Sequence, residues 1–293
     1  MLLRAALLLA FPVALASAQT TDETTPVFKG RIAAGSSLRV RTMKGDVQVR
    51  ESSGSEVVVT ARRRYRSRQS GQITFDVLHD GSNVTVCAIS KDTRRCDAEG
   101  YDSGHGWDSD VGFADFIVEI PRGIKLVAAT GNGEVDVRGA GADVEATSGN
   151  GAVTVDGAGG SVVASSGNGD VRVDRAAGPV RVSSGNGRIN VSTANGPVEA
   201  HTGNGRIDVD MASLTSDGDM DFTTGNGSIT VSAPANLSAA IEANVGYNNF
   251  TTDFSVQVPA HWNSRRIEGT IGAAGRRIRF STGNGTITLR KHD

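Results

Sequence analysis

Residues 183–200 read SSGNGRINVSTANGPVEA, and this stretch decides the fold. Its Gly-Asn-Gly triplet recurs with a step of 18 residues, and a fixed period of this length is typical of repeat proteins. The triplets begin at Gly131, Gly149, Gly167, Gly185 and Gly203, with a sixth at Gly225 and a seventh at Gly283. The sequence therefore predicts a stack of similar units.

Within each unit, apolar and polar residues alternate in two short segments. In the quoted unit these segments contain Ile189 and Val191, then Val198 and Ala200. A period of two places one face of a strand in a core and the other face in solvent. Each unit therefore predicts two strands of about five residues, with small or β-branched inward side chains.

No segment shows the periodicity of an amphipathic helix, so the apolar faces of two strand rows have to cover each other. We predict an all-β fold: a stacked β-solenoid with two short strands per 18-residue coil and an N-terminal cap that contains a hairpin. The same alternation permits an alternative, an antiparallel meander that closes into a sandwich or barrel. One unit buries too few apolar side chains to offset its conformational entropy, so stability has to come from stacking.

The triplet is interpreted as a tight turn, because glycine and asparagine tolerate positive φ angles. In register, its asparagines would form a hydrogen-bonded structural ladder, with a column of Ser and Thr beside it. The ladder comprises Asn132, Asn150, Asn168, Asn186, Asn204, Asn226 and Asn284. Calcium binding by the repeat is excluded, because Arg188 and Arg206 stand where that ion needs acidic oxygens.

The first eighteen residues have the pattern of a cleaved signal peptide. Arg4 precedes an apolar run that ends in the small residues Ala16-Ser17-Ala18. The run is too short to span a bilayer, and no later segment is long and apolar enough. We expect a protein exported to the periplasm, the cell surface or the medium, without a transmembrane segment in its mature chain and with a flexible start over residues 19–26.

Composition limits the kinds of partner. A net charge of -2 does not favour a nucleic-acid binder. Export would place Cys87 and Cys96 in an oxidising compartment, where we expect them to form a disulfide. Two cysteines cannot make a sulfur-rich zinc site, and we predict neither a metal site nor a cofactor.

The irregular parts of the chain flank the repeats. We expect an N-terminal β region over 27–125, regular repeats over 126–232, and C-terminal coils with a cap over 233–293. In the first region, residues 45–59 resemble a degenerate coil, and residues 72–89 predict a hairpin that turns at Asp80-Gly81.

Two non-repetitive segments are the candidate interaction surface. The first is the acidic loop 90–115, because long ordered loops are often functional. The second is an arginine run, which can hold phosphate-bearing surfaces but can equally pair with the acidic loop or protect a sheet edge. The candidate residues are Tyr101, His105, Trp107, Asp108, Asp110, Arg62, Arg63, Arg64, Arg66 and Arg68. Asp108 and Asp110 match part of a calcium loop that lacks its remaining ligands.

Three stretches carry a resemblance to a known family. They are DFIVEIPRGIKLVAATGNGEVDV over 115–137, the repeated SGNGxVxV units, and FTTDFSVQV followed by RRIEGTIGAAGRRIRFSTGNGTITLRK near the C-terminus. In these stretches the chain resembles the bacterial DUF4097 group of adhesin-like proteins, over roughly residues 27–293. The resemblance implies a secreted or envelope β-solenoid and transfers no catalytic residues.

We therefore expect a non-enzymatic exported envelope or surface protein that acts as an adhesin-like interaction or scaffold module. Its partner would be an envelope or extracellular protein or a glycan. The alternative is a carbohydrate-binding or polysaccharide-degrading β-solenoid. No histidine stands beside a nucleophile motif, and no converging acid and base groups are recognisable in the sequence.

Overall fold

The computed structural model describes residues 22–65, 72–104, 112–193, 196–214, 217–246, 249–258 and 265–292. Within these ranges the secondary-structure elements are all β-strands. They are β1 (Asp22–Gly30), β2 (Ser37–Lys44), β3 (Val47–Glu51), β4 (Val57–Arg64), β5 (Thr74–Asp80), β6 (Asn83–Ile89), β7 (Thr93–Cys96), β8 (Tyr101–Ser103), β9 (Phe113–Ile120), β10 (Lys125–Asn132), β11 (Val135–Ala140), β12 (Val144–Asn150), β13 (Val153–Ala158), β14 (Val162–Ser166), β15 (Val171–Ala176), β16 (Val180–Ser184), β17 (Ile189–Thr193), β18 (Val198–Asn204), β19 (Ile207–Met211), β20 (Met220–Asn226), β21 (Ile229–Ala233), β22 (Ala239–Val245), β23 (Phe250–Thr252), β24 (Arg266–Ile271), β25 (Arg276–Asn284) and β26 (Ile287–Lys291).

The strands form two long sheets that face each other across one core. Sheet 1 has the order β1-β4-β9-β3-β11-β13-β15-β17-β19-β21-β26-β23, and sheet 2 has the order β24-β22-β25-β20-β18-β16-β14-β12-β10-β2-β6-β5. Successive coils pair in parallel and in register, so that Val171 lies beside Ile189 and Val162 beside Val180. The predicted solenoid with two strands per coil is confirmed.

The inward positions of both sheets make a continuous dry core. Val171 and Val182 have no exposed surface, and the rings of Phe222 and Phe280 stack within the core. Each alternate side chain of the regular strands is buried in this way. The core is therefore shared between coils, as expected for units that cannot fold alone.

Both ends of the solenoid are assembled out of chain order. At the C-terminal end, the last coil, β25–β26, lies between β20–β21 and β22–β23. This insertion explains the long sequence step before the seventh triplet, because Asn284 stacks directly on Asn226. At the other end, β6 and β9 lie outside β2–β3, which in turn pairs with β10–β11.

Antiparallel strands cover three of the four sheet ends. These strands are β1 with β4, β5 and β24. The assignment of residues 45–59 to one coil is therefore wrong. The coil that contains β3 has β2 as its other strand, which precedes β3 in the chain and lies in sheet 2. Strand β4 lies in the same sheet as β3 and runs antiparallel to β9 in the cap. Residues 22–26, expected to be flexible, form the first part of β1.

The predicted hairpin is formed by β5 and β6. Asp80 pairs with Asn83, so the two loop residues are Gly81 and Ser82, one position later than expected. Gly81 has a φ of 58°, which fits the first loop position of a type II′ turn.

Two columns of side-chain hydrogen bonds run along the stack at the triplets. On the inside, a buried hydroxyl just before each triplet donates to a backbone carbonyl of the preceding coil. The acceptor is the glycine at the third position of that coil's triplet, as Ser184 Oγ donates to Gly169 O at 2.9 Å. Ser148, Ser166, Thr202, Thr224 and Thr282 repeat this bond, and Thr130 makes it to Gly45.

On the outside, the asparagine of each triplet donates to the one before it. Asn168 Nδ2 lies 2.8 Å from Asn150 Oδ1, and Asn284 Nδ2 lies 2.7 Å from Asn226 Oδ1. The remaining bonds of this ladder are 150 to 132, 186 to 168, 204 to 186 and 226 to 204. Paired amides of this kind satisfy one another along the stack.

Stacking, and not turn conformation, accounts for the glycines of most triplets. Each triplet lies at the bend between the two strands of its coil, as expected. Of the triplet residues, all of which are described, only Gly151 and Gly227 have a positive φ, so the positive-φ explanation of the bend is wrong for most units. A Cβ at Gly203 would lie 2.7 Å from Gly185 O, and one at Gly187 would overlap Gly169 O. Successive backbones therefore approach too closely for any side chain.

We predict that Gly187→Ala destabilises the protein by about 2 kcal/mol or more, because its Cβ forces two coils apart. Gly54→Ala is the matched control, since the added Cβ would meet only the Ser52 side chain. The control should change stability by less than about 0.5 kcal/mol. Chemical denaturation followed by circular dichroism measures both, and equal midpoints for the two variants would contradict the stacking explanation.

Candidate interaction surface

The N-terminal half of the acidic loop is a small hairpin tied to sheet 2. Its strands β7 and β8 pair antiparallel, and the predicted disulfide links Cys96 in β7 to Cys87 in β6. On the chain-entropy model, a disulfide that closes a loop of this size stabilises the folded protein by roughly 2–3 kcal/mol. The disulfide therefore fixes the hairpin against the outer face of the solenoid.

Tyr101 anchors this hairpin. Its hydroxyl lies 2.9 Å from both Ala88 O and Thr93 Oγ1, and it donates to the Ala88 carbonyl. Burial raises the pKa of the Tyr101 phenol, and the hydrogen bond with Thr93 opposes this effect only in part. Tyr101 thus serves the packing of the hairpin, and its polar atom is committed to neighbouring residues.

The hairpin contacts Arg41 on the outer face of β2. Arg41 Nη2 donates to Ala98 O at 3.1 Å, and Arg41 Nε and Arg39 Nη1 are buried without a hydrogen-bond partner. Burial lowers the pKa of Arg41, with Glu145 acting in the opposite direction. The turn of the hairpin therefore takes part of the Arg41 guanidinium out of solvent.

The outer side of the hairpin remains exposed. Arg94 is exposed, and the Arg95 and Glu99 side chains are 51% and 81% exposed. Arg95 Nη1 lies 3.3 Å from Glu99 Oε2, a solvent-exposed ion pair of small energetic value. We call Arg94, Arg95 and Glu99 the hairpin surface.

The described arginines of the run, Arg62, Arg63 and Arg64, bind groups of the N-terminal cap. Arg62 and Arg64 each donate two hydrogen bonds to Asp115, and Asp46 N donates to the same carboxylate at 3.1 Å. Burial of Asp115 opposes its ionisation, but the bonds from Arg64, Asp46 and Arg62 together hold its pKa below the usual value. Asp115 is thus a buried anion that joins β4, β9 and the residue before β3.

Arg63 has the opposite orientation, as the period of two requires. It follows the inward positions Val59 and Ala61 on β4 and reaches the open end of the core. There its Nε donates to Ile73 O at 2.9 Å, and its guanidinium lies 4.6 Å from the centre of the Phe75 ring. Arg63 therefore contacts β5 and the residue before it at this end of the solenoid.

Of the candidate residues, those described belong to different sheets. Arg62, Arg63 and Arg64 lie on sheet 1, whereas Tyr101 packs against sheet 2. The other candidates, His105, Trp107, Asp108, Asp110, Arg66 and Arg68, lie outside the described residues. The role of the two segments in binding stays a prediction.

Ion pairs on the outer face of sheet 2 were not foreseen from the sequence. Arg181 makes two hydrogen bonds to Glu199, which lower the pKa of that carboxyl. Arg279 lies 3.5 Å from Asp221 and 3.6 Å from Glu242. The inserted coil places Arg279 between these two acids, an arrangement that chain order hides.

Within the described ranges, no group of three or more His, Cys, Asp or Glu side chains could hold a metal ion. The same part of the chain contains no helix that is long and apolar enough to cross a membrane.

The chain folds as a two-sheet β-solenoid with irregular assemblies at both ends. The chain matches the family model described as Toastrack DUF4097 over residues 35–290, and it belongs to this family. The resemblance drawn from the sequence is confirmed. No curated protein matches the chain.

The solved structures that are similar to this chain include the following three. A candidate cell adhesion protein from Clostridium sporogenes ATCC 15579 has 10% identity and a TM-score of 0.31, with coverage of 94% of this chain and 100% of that one. A candidate adhesin from Bacteroides fragilis NCTC 9343 has 10% identity, coverage of 93% and 98%, and a TM-score of 0.46. One from Parabacteroides distasonis ATCC 8503 has 9% identity, coverage of 92% and 97%, and a TM-score of 0.35.

We predict that Asp115→Asn destabilises the protein at pH 7 by about 2–3 kcal/mol, because two arginines lose their common anion. Since the folded pKa of Asp115 is lowered, its contribution is complete above the unfolded pKa of about 4 and is lost as the pH falls through the folded pKa. The difference in the free energy of unfolding between wild type and variant, the stability gap, should therefore shrink toward zero at low pH.

Urea unfolding at a series of pH values measures this gap. Asp136→Asn is the control, because Asp136 lies on a regular strand and pairs only with Arg138 of the same strand. A gap for Asp115→Asn that persists unchanged at pH 2 would contradict the assignment of the effect to its charge.

Proposed function

We propose that this protein is a non-enzymatic envelope or surface protein that acts as an adhesin-like interaction or scaffold module. The observation that carries the proposal is the disulfide-tied hairpin, which interrupts a repetitive surface and presents exposed charges. Its contact partner would be an envelope or extracellular protein or a glycan.

The solenoid suits a scaffold. Twelve strands at about 4.8 Å give each sheet a length of about 50 Å. The hydroxyl column and the asparagine ladder connect every regular coil to its neighbour. Such a rod holds a surface feature at one end in a fixed position relative to the other end.

The disulfide supports a location outside the reducing cytosol. Structural disulfides persist in secreted and envelope compartments. The signal peptide over residues 1–18 lies outside the described residues and stays a prediction, as does the choice between periplasm and cell surface. Fractionation of the native host with an antibody against this chain tests the location.

Binding by the hairpin surface can be tested directly. The oxidised, labelled protein is added to intact cells, isolated envelopes and an immobilised glycan panel, and saturation binding is measured. The double variant Arg94→Glu/Arg95→Glu should bind at least about tenfold more weakly, because it reverses exposed charges at the contact. The same variant should unfold at the wild-type denaturant midpoint.

Arg188→Glu/Arg206→Glu is the matched control, since it makes the same charge change on the regular repeats. Equal losses in both double variants would show that net charge, not the hairpin, governs binding. Saturable binding to the glycan panel alone would favour the carbohydrate-binding alternative. The absence of saturable binding in all three formats would contradict the proposed function.

A further inference from the structure

A small pocket lies at the opposite end of the solenoid from the hairpin surface. It forms where the segment after β19 meets the turns before β22 and β25, and its volume is about 160 Å³. Its walls include Leu214, Asp217, Pro234, Leu237, Ser238 and Arg276. The pocket wall therefore combines apolar side chains with two charged ones.

Arg276 is buried in the pocket wall with little compensation for its charge. Its side chain is 10% exposed, and its Nη1 is buried without a hydrogen-bond partner. Its anionic neighbour is Asp217, whose Oδ1 lies 3.3 Å from Nη2 and whose side chain is 96% exposed. A guanidinium stays protonated, so burial with one weak partner is costly.

The turn that positions Arg276 is itself constrained. Ala274 has a φ of 65°, a left-handed conformation that is unfavourable for a residue with a Cβ. Ala273 N donates to Ser238 Oγ at 2.8 Å, which ties this turn to the one before β22. The pocket wall is therefore a fixed structure that is held against local strain.

We propose that this pocket binds a small carboxylate, with Arg276 as its anchor. A guanidinium matches the two oxygens of a carboxylate with parallel hydrogen bonds. The apolar walls Leu214, Pro234 and Leu237 suit the carbon atoms attached to that group. The incoming carboxylate takes the place of Asp217, whose exposed contact with Arg276 is weak.

A carboxylate fits this site better than a phosphate dianion. The pocket offers one cation, and Asp217 stands beside it as a competing negative charge. A second negative charge on the ligand would meet that carboxylate at short range. The inference does not depend on the adhesion proposal, because it concerns a different end of the molecule and a different class of ligand.

The test is an amide-resolved NMR titration of the full oxidised protein at pH 7 with sodium acetate. Acetamide is the neutral isostere, and sodium chloride controls for ionic strength. Acetate should shift the amide resonances of Ser238 and Gly275 saturably, whereas acetamide and sodium chloride should not. Glucuronate and N-acetylglycine then show whether a sugar acid or a peptide-like acid fits better.

Three variants separate a binding role from a structural one. Arg276→Gln should weaken acetate binding at least about tenfold, through loss of the charged hydrogen bonds. Asp217→Asn should strengthen it about two- to fivefold, because the competing anion is removed. Arg277→Gln, at the exposed neighbouring position, should leave it unchanged.

The outcomes are decisive in both directions. Equal shifts with acetate and acetamide, or wild-type affinity in Arg276→Gln, would overturn the proposal. If Arg276→Gln fails to fold, Asp217→Asn still decides, because its side chain is exposed and its loss should leave the fold intact. Unchanged or weaker acetate binding in Asp217→Asn would show that Arg276 only braces the turn.

Discussion

The close approach of successive backbones at the Gly-Asn-Gly column is the constraint on which the structure depends. The glycine at the third position of each triplet lies against the carbonyl of the equivalent glycine one coil earlier, where no Cβ fits. That proximity lets the inner hydroxyl reach the preceding coil and brings the outer amides within hydrogen-bond distance. One steric condition thus fixes the register of the core, both ladders and both sheets.

The sequence predicts the regular coils well because their determinants are local and periodic. Alternation identified Val171 and Val173 as inward, and the triplet identified where the asparagines align. The end assemblies escaped prediction because period two specifies which face a residue occupies but not which strand lies beside it. The position of β25–β26 between earlier coils is set by long-range pairing.

The same limit applies to the candidate site. The arginine run was visible, and pairing with the acidic loop was one of its alternatives, but only the antiparallel register of β4 with β9 brings Arg62 opposite Asp115. No sequence pattern indicated the pocket at Arg276, because Asp217 and Arg276 are far apart in the chain and neither belongs to a motif. The inward residues and the triplets of the repeat are constrained by stacking, so the two ends of the solenoid and its outer faces are where this scaffold can vary in chemistry.

The inserted last coil has a consequence for how the molecule forms. A solenoid with coils in chain order can grow by addition at one end, each coil closing on the one just completed. Here β22–β23 cannot reach its final place on the stack until residues 276–291 fill the gap beside β20–β21. Completion of the C-terminal end is therefore a non-local and cooperative step, and it should be among the slowest events in folding.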